Sequence, residues 1–209
     1  MRQLRGRIEE ILRGRPTTGA WQVVLGCGLI YGGVMGTFGG RSGQVAFSAI
    51  KVPLLLLATV GLSLPSYFIL NTLLGVRSDF AAAWRAVLAS QAGLTIILVS
   101  LAPITAFWYA SFGDYRAAIL FNALIFAVAS GGAQVLLRRS YRPLIARDPR
   151  HRWLLRIWLI LYAFVGIQMG WSLRPFIGDP AQPVRFFREG AWTNAYEKVA
   201  RILWDFLTR

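Results

Sequence analysis

The sequence predicts an all-α integral membrane protein: a five-helix transmembrane bundle with an amphipathic helix at each end. Three observations carry this. Of 209 residues, 56% are hydrophobic and 15% charged, with a mean hydropathy of +0.50, a balance foreign to soluble domains and natural to a chain solvated by lipid. The apolar residues collect into runs of about twenty or more, enough at about 1.5 Å per residue to cross a hydrocarbon core of about 30 Å. The arginines fall in the gaps between those runs.

Residues 1–19 form the first expected unit. Leu4, Ile8, Ile11 and Leu12 recur at helical spacing among five arginines and two glutamates, the pattern of a short helix lying on a membrane surface. Arg15, Pro16 and Gly19 end it. No small-residue cleavage site follows the next apolar run, so that run is read as a retained span.

Residues 20–173 are the expected bundle. The first span covers residues 20–40, where Gly28, Gly32, Gly36 and Gly40 recur every fourth position. They make a flat face along which another helix backbone can approach closely. The partner is another span of this chain, which we favour, or a second copy. The second apolar region, residues 45–75, exceeds one crossing, and Lys51 with Pro53 divides it. Residues 44–51 then read as an interfacial lead-in and Pro53 as a first-turn residue, where its missing N–H costs little; Pro65 falls mid-span and is expected to bend the helix. The third span covers residues 86–109, with Gln91, the fourth 117–137, with Asn122 and Gln134, and the fifth 153–173, with Gln168. Amides in such places bond between helices for about 1 kcal/mol each; a substrate path is the sharper alternative.

Residues 174–209 leave the membrane through RPFIGDPAQP and continue into an amphipathic helix. Trp192, Tyr196, Val199, Leu203 and Phe206 share one face of it. It rests on the membrane surface or against the bundle.

Basic residues outnumber acidic ones 23 to 9, for a net charge of +14, and 21 of the 23 are arginine. Without a groove-reading motif this balance does not indicate nucleic acid; between apolar runs, arginines orient spans and meet anionic head groups. Lys and Arg number 5 in the amino-terminal segment, 2 in residues 41–51, 2 in 76–85, 1 in 111–116 and 7 in 138–156. The six in the tail are spread out. The short connections place the amino terminus and an Arg138–Arg156 loop in the cytoplasm and the tail outside.

Chemistry is sparsely provided for. Cys27 is the one cysteine and His151, in the most basic connection, the one histidine, so no disulfide, intramembrane haem ligand, zinc site or Ser–His pair is expected. Asp114, Asp148 and Asp179 stand in separate connections without a nucleophile motif. We therefore expect no catalytic residue, no metal and no cofactor.

Two stretches carry a family resemblance. AIKVPLLLLATVGLSLPSYFILNTLLG (residues 49–75) and WSLRPFIG (171–178) resemble bacterial membrane proteins related to the Yip family, the Rab-interacting five-span proteins; the similarity covers residues 43–205. It implies a five-span bundle, a cytoplasmic amino terminus and a non-catalytic role among other membrane proteins. A Rab partner does not carry over, because the Arg-rich, Lys-poor composition fits a GC-rich bacterial genome, and no catalytic residue is transferred.

In this topology Arg41, Lys51, Arg116, Arg174, Arg185 and Arg188 gather near the outer surface, interleaved with Trp171, Phe176, Phe186, Phe187 and Trp192. They form a belt suited to an anionic lipid or a docked partner, or else ordinary snorkelling and aromatic anchoring. Seven arginines between residues 138 and 156 make the densest positive block. The expected function is an accessory or scaffolding subunit of a bacterial cytoplasmic membrane. It packs against other integral membrane proteins, a second copy among the possibilities, and against anionic lipids. A small transporter or channel is the rival.

Overall fold

The computed structural model describes residue 6, residues 19–188, and residues 191, 196, 197 and 204. They form five helices and no strand: α1 (Ala20–Gly36), α2 (Ser42–Leu73), α3 (Phe80–Ser111), α4 (Tyr115–Arg147) and α5 (Arg150–Ser172). Two 3-10 turns, Phe38–Gly40 and Arg77–Asp79, join the first three. Four helices, α2 to α5, are long and apolar enough to cross a membrane. The apolar α1 is shorter, at 17 residues or about 25 Å. Nearly all of the expected amino-terminal amphipathic helix, and of the carboxyl-terminal one including Trp192, lies outside the described residues.

α1 and α2 form a tight antiparallel hairpin because three glycines of α1 have no side chain. A Cβ on Gly28 would sit 3.0 Å from Pro53 Cβ, and one on Gly36 would lie 2.7 Å from both the Gln44 carbonyl oxygen and Val45 Cα. One on Gly32 would overlap the Ser48 carbonyl. The seam joins two helices of this chain and ends at Gly36. Gly40 stands outside it, since α1 stops there and Gly39 and Gly40 take φ of 77° and 69°, a left-handed conformation that L side chains disfavour. Thr37 closes the helix by donating to the Val34 carbonyl at 2.7 Å.

The same packing corrects the second region. α2 begins at Ser42 and runs unbroken past Pro53 and Pro65, so residues 44–51 are helix and Pro53 is not in a first turn. Proline removes one amide hydrogen bond, but residues 44, 45, 48 and 49 lie against the bare glycine face, and tertiary contact extends the helix beyond what local preference allows.

The Arg138–Arg156 loop also needs correcting. α4 stays helical to Arg147 and α5 starts at Arg150, leaving Asp148 and Pro149 as the connection. Tyr141 and Leu144 of this stretch are buried with Leu154 and Trp158, which holds the arginine-bearing turns helical despite their charge.

Two cores stack along the bundle. One, toward the α1–α2 turn, unites Tyr31, Val52, Leu98 and Ile125 of α1 to α4. The other gathers Tyr67, Val87, Tyr141 and Trp158 at the far end. α1 packs on α2 and α3, α3 on α4, and α5 on α2, whereas α4 and α5 touch little.

Candidate functional site

The site lies at the end of the bundle shared by the α1–α2 turn, the α3–α4 turn and residues 173–188. Arg41, Gln44, Ser48 and Lys51 follow one another at spacings of three, four and three, which places them along one side of the start of α2. That stripe grips the tail. Gln44 Nε2 donates to the Phe176 carbonyl at 3.2 Å, joined there by Ser48 Oγ. Lys51 Nζ donates to the Pro175 carbonyl at 2.7 Å and lies 4.8 Å from the centre of the Phe186 ring. Arg41 donates to the carbonyls of Gln182, at 2.5 Å, and Asp179. Gly178 admits this approach, because a Cβ there would lie 2.9 Å from Gln44 Cγ.

The tail closes on itself as well. Arg188 N donates to the Arg174 carbonyl at 3.3 Å, and its guanidinium meets Asp179 at 3.4 Å and Gln182 at 3.2 Å. Residues 174–188 thus form a strap whose two ends meet. The Arg174 guanidinium stacks 3.3 Å over Trp171. Partial burial and then the neighbouring Arg188 charge push its pKa below the ordinary arginine value, because loss of water and a like charge each disfavour the charged form.

Two hollows border the strap. The polar one, about 460 Å³, is lined by Arg41, Gln44, Asp179, Gln182, Arg185 and Arg188. The apolar one, about 790 Å³, lies between α4 and α5. Met35 and Leu55 back it, Ile119, Phe126 and Ile167 line its walls, and Arg174 and Arg188 stand at its strap end. Pro175 and Arg188 border both. It exists because α4 and α5 diverge after their two-residue connection, with α1 behind them.

Of the belt expected from sequence, Arg41, Lys51, Trp171, Arg174, Phe176, Arg185 and Arg188 come together here. Arg116 is exposed at the start of α4 and lines neither hollow. Lys51 does not snorkel: it is fully buried, held by a carbonyl and a ring that offset the loss of water. Sequence reasoning missed Gln44, Ser48, Asp179 and Gln182. The periodic polar stripe from Arg41 to Lys51 was the available signal.

Two of the interior amides, Asn122 and Gln91, act as ties. Asn122 accepts from Tyr31 at 3.2 Å and donates to Tyr109 at 2.6 Å, joining α4 to α1 and α3. Gln91 accepts from Tyr162 at 3.0 Å, joining α3 to α5. At the opposite end His151 lies in the first turn of α5, not in a loop; it is fully buried, with Nε2 3.1 Å from Asp79, which also meets Arg147 at 2.9 Å. Tyr196, one of the few described tail residues beyond the strap, stacks on Phe164 of α5 at 4.2 Å. Among the described residues no group of His, Cys, Asp and Glu is arranged to hold a metal.

Comparison with protein-family models, with curated proteins and with solved structures gives no match for this chain.

Proposed function

We propose that the chain is a non-enzymatic multi-pass membrane protein, an accessory or scaffolding subunit that engages lipid and other membrane proteins through the α4–α5 side. The observation that carries this is the divergence of α4 and α5. It leaves a large apolar hollow flanked by exposed Leu120, Leu124 and Val128 on α4 and Ile160 and Ile167 on α5. Asn122 and Gln91 are engaged in joining helices to one another, and Thr59, Ser90, Thr95 and Thr105 each donate to a carbonyl of their own helix, which favours a packing role. The orientation proposed from the arginine count puts the amino terminus in the cytoplasm of a bacterial cell and the strap outside. The resemblance to Yip-related proteins agrees with this role.

Photo-crosslinking residues at positions 120 and 160 in native membranes test it. Discrete protein adducts are expected; recovery of lipid alone would count against a subunit. The hollow itself favours a second reading, a small transporter or channel. Substrate-dependent flux in liposomes carrying the pure protein would establish that instead.

A further inference from the structure

We infer that the hollow between α4 and α5 holds one anionic phospholipid, its phosphate at Arg188 and Arg174 and an acyl chain running along Ile119, Phe126 and Ile167. The inference rests on the proposed role of this side and names its ligand.

Three observations point to a lipid. First, the lining is divided by chemistry: apolar side chains along the helices, two guanidinium groups at the strap end. That division matches an amphiphile. Arg188 already meets Asp179 and Gln182 and Arg174 stacks on Trp171, but a guanidinium carries five N–H donors, so a phosphate can add hydrogen bonds to both where a second apolar helix would add none. Second, the charge is complementary. Arg41, Lys51, Arg116, Arg174, Arg185 and Arg188 stand at this end against Asp114 and Asp179 among the described residues, and Arg41 and Arg185 line the polar hollow, which shares Arg188 with the apolar one. Third, the depth fits one leaflet. Tyr115 and Phe126 both line the apolar hollow, and eleven residues of helix span about 16 Å, half of a hydrocarbon core of about 30 Å. Its volume of about 790 Å³ falls within the usual range for small-molecule sites. Gly170 exposes bare backbone to the hollow, with no atom within 4 Å of where a Cβ would stand.

The test is native mass spectrometry of the full chain released from nanodiscs containing equal amounts of phosphatidylglycerol and phosphatidylcholine. The expected result is one retained phosphatidylglycerol, favoured about tenfold or more over phosphatidylcholine. Gly170→Leu, which fills the hollow without touching the strap's ties, should lower retention about fivefold or more at an unchanged unfolding midpoint. Arg188→Gln should abolish the preference between the two lipids. Equal retention of both by the wild type, or retention indifferent to Gly170→Leu, would overturn the inference. So would displacement of the lipid by soluble glycerol 3-phosphate, since the polar hollow alone would then be the site. Protein adducts at positions 120 and 160 without lipid retention would leave the subunit role standing and remove only the lipid.

Discussion

The Lys51 ammonium, buried within α2, donates to the Pro175 carbonyl at 2.7 Å. A cation inside a span is costly unless paired, and here the partner is the backbone of the strap that follows the last helix. The charge thereby fastens the end of the bundle to its beginning. Lys51→Met keeps the length and removes the donor. We expect a loss of roughly 1.5–3 kcal/mol, the range for a hydrogen bond to a charged group, read as a lower unfolding midpoint in micelles. Proteolysis within residues 173–188 should rise in parallel; an unchanged midpoint would mean the strap is held without Lys51.

The glycine seam distinguishes positions that look alike in sequence. Gly32→Ala and Gly36→Ala drive a methyl group into α2 backbone, so each should destabilise by about 1–3 kcal/mol. Gly26 and Gly33, also in α1, have nothing within 4 Å of a Cβ. Replacing either by Ala should be neutral or stabilise by up to about 1 kcal/mol. Thermal unfolding of the four variants separates the two pairs.

At the opposite end Asp79 clasps Arg147 and His151, whose side chains are 72% and 0% exposed. The exposed pair is worth less than about 1 kcal/mol, so Arg147→Ala should barely change stability. Asp79→Ala also strips the buried His151 Nε2 of its carboxylate partner and should cost about 1–3 kcal/mol. A double-mutant cycle on Asp79 and His151 should return most of that coupling; equal effects of Arg147→Ala and Asp79→Ala would refute the ranking.

The antiparallel order of α1 to α5 sets the strap and the Asp79 clasp at opposite ends. In a Cys27→Ala background, an impermeant maleimide should label Gln182→Cys from one side of the membrane only and Arg147→Cys from the other only. An amino-terminal reporter should report the Arg147 side, provided the short α1 crosses. A reporter on the strap side would show that it does not.

Much of this architecture was legible in the chain. Apolar runs long enough to cross hydrocarbon, separated by arginines, dictate helices, because lipid offers no partner for backbone N–H and C=O groups. The four-residue recurrence of Gly28, Gly32 and Gly36 marked a close helix contact for a reason internal to helical geometry. The clustering of Arg41, Arg174, Arg185 and Arg188 at one end followed from alternating spans.

Only the tertiary structure decided the rest. Local rules begin a helix at Pro53 and end one near Arg138, yet α2 starts at Ser42 and α4 reaches Arg147, because contacts from distant segments outweigh those preferences. His151 and Lys51 read as surface groups until Asp79, Pro175 and Phe186 are brought to them. The hollow between α4 and α5 has no sequence signature at all. It arises where two helices adjacent in the chain diverge, and a void is a property of arrangement, not of any residue that borders it.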